Sequence, residues 1–146
     1  MSRREATVAA APATPRAPSP VRLVVGAGCS LGCPAEELAA LVDGALVEAG
    51  GGAVVAVATV DRRAAEPCVA ALAGDRGVPL RTYPAAALAA VAVPTPSARV
   101  ARHVGTPSVA EAAALLAAGP GAELLVAKRR SPRATCAIAR EAPWPG

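Results

Sequence analysis

The chain has 146 residues, 15 of them Lys or Arg against 11 Asp or Glu, a formal charge of +4. That is one domain's length, with enough chain for a genuine core. Half of the net charge lies in residues 1–20, where Arg3, Arg4 and Arg16 face Glu5, and Tyr83 and Trp144 are the only aromatics. Without a basic stripe or stacking platforms nucleic acid is not expected as a partner, and without a run near ~20 apolar residues neither is a membrane.

Residues 1–20, "MSRREATVAAAPATPRAPSP", alternate Ala, Pro, Thr and Ser. Pro12, Pro15 and Pro18 deny them the continuous apolar stretch of a signal peptide, so a solvated, disordered extension and a cytoplasmic protein are expected. "VRLVVGAG" (21–28) reads as a buried strand that ends in glycines. Pro34 then opens "AEELAALVDGALVEAG", where Leu38, Leu41, Val42, Ala45, Leu46 and Ala49 recur at helical spacing and Gly50 to Gly52 stop the helix. "AVVAVATV" (53–60) is a second strand. "RAAEPCVAALAGDRG" is a helix with Pro67 in its first turn. "VPLRTY" (78–83) is a third, short strand, followed by the weak helix "AAALAAV".

Further along, "HVGTPSVAEAAALLAAG" (103–119) is an alanine helix with an elaborate entrance. Thr106 before Pro107 is one candidate N-cap. Ser108, with Glu111 three residues on, is another and completes a capping box. "AELLVAKRR" and "RATCAIAR" form two strands joined by a polar turn at Ser131 and Pro132, close enough for a hairpin. This order predicts an α/β fold: a three-layer α/β/α sandwich on a mixed, mostly parallel sheet of about five strands. The domain runs over 21–140, and 141–146 is a short tail.

In such sheets ligands bind beyond the carboxyl ends of the strands. "GAGCSLGC" (26–33) follows the first strand, so Gly26, Gly28 and Cys29 are candidates for an anion-holding turn, although Leu31 and Gly32 spoil a dinucleotide fingerprint. Asp61 and Glu66 close the second strand as a carboxylate pair beside Arg63, or else Asp61 caps a helix and the rest is solvated surface. "AKRRSPR" (127–133) gathers four cations and reads as a solvated charge run, though Lys128 is the only lysine in an arginine-rich, GC-biased composition. His103 is expected to be structural. The cysteines are Cys29, Cys33, Cys68 and Cys136. A lone C-x3-C without a second ligand pair does not announce a metal, Cys68 and Cys136 read as small core residues, and all four are expected to be reduced and metal-free.

"VGAGC", "TVDRRAAEP", "VPTPSARV", "VGTPSVAEAAAL" and "LLVAKRRSPRATCAIAR", in this order, resemble the CobE family of cobalamin-biosynthesis proteins, whose pattern also forms the C-terminal domain of the CbiG cobalt-precorrin-5A hydrolases. The resemblance runs from about Val21 to Arg140. Two positions depart from it: Ser30 stands where the family has a basic residue, and Arg63 where its D-x-K-x-x-E element has lysine. The resemblance implies a cytoplasmic protein of corrin-ring synthesis that binds a precorrin-type intermediate, either assisting lactone hydrolysis or carrying the intermediate between other enzymes of the route. It implies no cofactor, since cobalt would arrive inside the substrate. On the ring's acetate and propionate arms it places Gly26, Gly28, Cys29, Arg63, Gly105, Thr106, Ser108 and Glu111. Asp61 or Glu66 would act as general base and Lys128 as the oxyanion's partner. The residues alone leave two other classes open: a non-catalytic interaction module, and an unrelated small-molecule enzyme with an α/β anion site.

Overall fold

A computed structural model describes residues 21–63, 66–91 and 108–142. In chain order these form β1 (Arg22–Cys29), α1 (Ala35–Ala49), β2 (Ala53–Val60), a 3-10 turn (Asp61–Arg63), α2 (Pro67–Arg76), β3 (Leu80–Tyr83), α3 (Ala85–Ala89), α4 (Val109–Ala118), β4 (Glu123–Arg130) and β5 (Ala134–Arg140). One five-stranded sheet has the order β3-β2-β1-β5-β4. β1, β2 and β3 are parallel, while β5 runs antiparallel to both β1 and β4, so four of the five strands share one direction. Among the described residues no helix is long and apolar enough to cross a membrane. The expected Thr106 cap, Gly105 and His103 lie outside the described residues, as do the extension 1–20 and Trp144.

Glycine and proline punctuate the chain where the sequence places them. Gly50 ends α1 in the left-handed region (φ 88°), its N–H donating to Val47 O, a conformation that residues with a Cβ avoid. Pro67 is the first residue of α2, where its missing N–H costs no helical bond. Thr59 is buried within the sheet and its hydroxyl donates to Ala27 O at 2.8 Å, which satisfies it without water.

The sheet's two faces are packed with different side chains. Against α1 and α2 lies a cluster of Leu23, Val25, Leu38, Val42, Val69, Leu72 and Ile138, with Cys33, Cys68 and Cys136 filling between them. Against α3 and α4 the cluster is mostly alanine, with Val24, Leu88 and Leu115. Small residues there let α4 sit directly on β1. A Cβ on Gly26 would lie 1.9 Å from Ala110 O and 2.9 Å from Ala114 N, so only glycine permits that approach.

A candidate ligand cleft lined with arginine

Four strand ends meet at one edge of the sheet: the carboxyl ends of β1, β2 and β4 and the start of β5. They enclose a cleft of about 280 Å³ lined by Gly28, Cys29, Ser30, Val60, Arg62, Arg63, Val109, Arg130, Ser131, Pro132, Arg133, Ala134 and Thr135. This is the position at which open α/β sheets hold ligands. Arg62 and Arg63 come from the 3-10 turn after β2, and Arg130 and Arg133 flank the turn between β4 and β5. The ion pairs among the described residues take other arginines: Arg22 with Glu141, Arg76 with Asp43, Arg129 with Glu48 and Arg140 with Glu123. None of the four cleft guanidiniums is in that set. No carboxylate is among the lining residues, so the wall of the cleft is positively charged, with Glu37 next to Arg133 just outside it.

The β4–β5 turn is held in place by a residue from α1. Glu37 Oε2 accepts from the hydroxyl of Ser131 and, at 2.7 Å, from the backbone N–H of Arg133. The Ser131 hydroxyl, followed by the Arg133 amide, holds the Glu37 carboxyl below its ordinary range. Ser131 N also donates to Ala134 O at 2.9 Å, and Ser30 N donates across to Arg133 O at 2.8 Å. The turn that presents Arg130 and Arg133 is therefore fixed from both sides.

Of the sequence-derived site residues, the structure brings Gly28, Cys29 and Arg63 into the cleft wall. Gly26 lies instead beneath α4, where its role is close packing. Glu111 is fully buried, beyond the reach of a ligand. Its Oε1 accepts from Ser108 N at 3.1 Å and its Oε2 from Lys128 N at 2.9 Å, while Ser108 Oγ accepts from Glu111 N at 3.1 Å. Ser108 is thus the N-cap with a complete capping box, and the same carboxylate ties the start of α4 to β4. Lys128 meets this network through its backbone amide and is not part of the cleft lining.

Asp61 opens the 3-10 turn, exposed and outside the lining, and the N-cap position of α2 is Glu66, without a side-chain cap bond. Past the two candidates in the cleft wall, the glycine turn makes contacts of its own. Three of its amides are engaged within the protein: Ser30 N with Arg133 O, Cys33 N with Ser30 O at 3.2 Å, and Gly32 N with Glu66 Oε1 at 3.4 Å. Sequence reasoning passed over Arg130 and Arg133 as solvated charge. The usable signal was their place, a basic turn directly after an apolar strand in a sheet whose ligand edge lies at strand ends.

Beside the cleft, Cys29, Cys68 and Glu66 converge, with one ligand atom from each lying within 4.8 Å of the others. Cys33 adjoins them through an S–H contact with Cys68. All four cysteines are free thiols. Burial pushes Cys33 and Cys68 up to about 11 and Cys136 up to about 12, and it raises Cys29 in the same sense, so the ligand-free protein carries neutral thiols at pH 7. Cys136 lies apart, in the core against α1, its S–H directed at Leu41 O at 3.8 Å.

The family described as cobalamin synthesis G C-terminus matches residues 23–139, all of the sheet and its helices but the first and last strand residues. The chain belongs to that family. Protein CobE from a Sinorhizobium species is 45% identical over 121 residues, covering 80% of this chain and 79% of that protein. Among solved structures, CobE, a protein from the cobalamin (vitamin B12) biosynthetic pathway, superposes with a TM-score of 0.70 at 39% identity, covering 88% of this chain and 96% of the other. The cobalamin biosynthesis protein ChiG from Agrobacterium tumefaciens gives a TM-score of 0.62 at 35% identity, covering 80% and 96%. A cobalamin biosynthesis protein G homologue from Sulfolobus solfataricus shares the fold, with a TM-score of 0.67 at 21% identity. This is a cobalamin-biosynthesis family domain, and the five-stranded α/β architecture is that of its relatives.

Proposed function

We propose that this protein binds a precorrin-type intermediate by its acetate and propionate arms and carries it between enzymes of corrin synthesis in the cytoplasm. The observation that supports this reading is the arginine-lined cleft: Arg62, Arg63, Arg130 and Arg133 around a void at the ligand edge of the sheet, with no lining carboxylate to neutralise them. Arginine suits such a ligand because its planar fork accepts a carboxylate bidentately and keeps its charge at every physiological pH. A cleft of about 280 Å³ falls just below the usual range for small-molecule sites, roughly 300–1,000 Å³. It takes one edge of a macrocycle with two or so carboxylate arms, and the flat ring lies across its mouth.

Carriage is favoured over hydrolysis by the same lining. A general base must come within hydrogen-bond reach of the water that it activates. Neither of the carboxylates expected for that role lines the cleft: Asp61 stands outside it on the 3-10 turn, and Glu66 is grouped with the thiols behind Cys29.

The test is titration of hydrogenobyrinic acid, a carboxylated corrin, into the protein while the ring's absorbance is followed. Saturable one-to-one binding is expected, weakening as salt is raised because the contacts are charge-assisted. Each of Arg63→Ala and Arg130→Ala should weaken it by roughly ten- to hundredfold, the equivalent of ~1.5–3 kcal/mol for a hydrogen bond to a charged group. Absence of saturable binding by the wild-type protein would overturn the proposal.

A further inference from the structure

A thiol cluster adjoins the cleft, with Cys29 common to both. From its geometry we infer a binding site for a divalent cation of the zinc class, held by Cys29 Sγ, Cys68 Sγ and one Glu66 carboxylate oxygen. The three ligand atoms already lie within 4.8 Å of one another. Tetrahedral coordination with bonds of about 2.0–2.3 Å requires ligand atoms roughly 3.3–3.8 Å apart, so the set needs to draw in by about 1 Å at most.

The fold preassembles this set from two distant segments. Cys29 ends β1, while Glu66 and Cys68 bracket Pro67 at the start of α2, where the fixed φ of proline holds their spacing. Gly32 N–H donates to Glu66 Oε1 at 3.4 Å, a hydrogen bond that helps to orient the carboxylate. Two sulfur ligands and one oxygen favour a soft or borderline ion such as zinc over magnesium or calcium, which take oxygen alone. On binding, two metal–sulfur bonds and one metal–oxygen bond form, and the two thiol protons leave to solvent.

Cys29 is half-buried and also lines the cleft, which supplies the entry path. Three protein ligands leave a fourth position for water or for a donor atom arriving in the cleft, the pattern of open zinc sites. Cys33 contacts Cys68 but stands outside the ligand set, as a neighbour that can hydrogen-bond to a coordinated sulfur. The inference rests on the cluster alone and is independent of corrin binding.

The experiment uses the full chain, reduced and stripped of metal. Zinc affinity is measured by competition with a chromophoric chelator, and cobalt(II) serves as a spectroscopic probe through its near-ultraviolet thiolate charge-transfer absorption. One equivalent of zinc should bind. Cys29→Ser should remove about half of the charge-transfer intensity, and both Cys29→Ser and Glu66→Gln should weaken zinc binding by at least ~tenfold. Glu66→Gln should keep the charge-transfer band, because both sulfurs remain, and Cys33→Ser should leave affinity within about twofold of wild type, given that it is not a ligand. Cys29 and Glu66 are both partly exposed, so these variants are expected to fold, and circular dichroism verifies that they do. Absence of stoichiometric zinc binding, equal binding by wild type and Cys29→Ser, or a loss in Cys33→Ser as large as that in Cys29→Ser would each overturn the site.

Discussion

The start of α4 and the β4–β5 turn border the same cleft, yet their polar groups are used in opposite ways. Among the described residues at the α4 start, the polar groups of Ser108 and Glu111 are engaged inside the protein. Ser108 and Glu111 close a capping box, and the other Glu111 oxygen reaches β4 through Lys128 N. The helix meets the cleft through the apolar Val109. The turn is the reverse: its backbone is fixed by Glu37 and Ser30, while the guanidiniums of Arg130 and Arg133 stay exposed on the cleft wall. Ser108 and Glu111 thus serve as scaffold, and the segment that reads as plain solvated charge is the one proposed to carry the ligand contacts. What separates them is whether each group's hydrogen-bonding capacity is already satisfied by backbone.

The largest effect expected from this contrast is on folding. Glu111→Ala removes a buried carboxylate and takes the acceptor from the amides of Ser108 and Lys128. At ~1.5–3 kcal/mol for each bond to a charged group, the loss should reach about 3 kcal/mol or more, read as a lower urea midpoint. A midpoint close to wild type would show that the carboxylate is not the tie between α4 and β4. Ser108→Ala should cost less, about 1 kcal/mol, as loss of a cap. Corrin affinity measured on the folded fraction should not change in Ser108→Ala, and a tenfold loss there would give the helix start the binding role proposed for the turn.

How much of this could be read from the sequence follows the same division. Helix and strand limits were legible because glycine and proline act locally: Gly50 after α1, Pro67 opening α2, the polar break between β4 and β5. The capping box was legible because its two partners are three residues apart. What escaped depends on separation in sequence. Cys29 and Cys68 meet only because β1, β2 and α2 fold back on one another, so a search for ligand pairs at short spacing passes over them. The role of Arg130 and Arg133 likewise requires the antiparallel pairing of β5 with β1, which carries the turn to the end of β1 opposite Gly28. Gly26 was legible as special, but a glycine that admits a ligand and one that admits a helix look the same in a sequence.

The smallest expected effect concerns the hold on the turn. The Ser131 hydroxyl and the Arg133 amide favour the ionised form of Glu37, whose ordinary value is 4.5. Because the folded value is the lower one, this contribution is fully present above that pH and fades as the pH falls through the lowered folded value. The group is near the surface, so the difference is modest: Glu37→Gln should narrow the gap between the melting temperatures at neutral and strongly acid pH. An identical gap in wild type and Glu37→Gln would show that the carboxylate does not hold the turn.

The most direct test of the central claim compares the two borders of the cleft in one assay. Hydrogenobyrinic acid is titrated into wild type, Arg130→Ala/Arg133→Ala and Ser108→Ala, each checked for folding. The turn variant should keep the wild-type melting temperature and lose at least ~tenfold in affinity, as expected for removal of charge-assisted contacts. Ser108→Ala should melt earlier and bind as wild type does. Wild-type affinity in the turn variant, with the loss appearing in Ser108→Ala instead, would contradict the account.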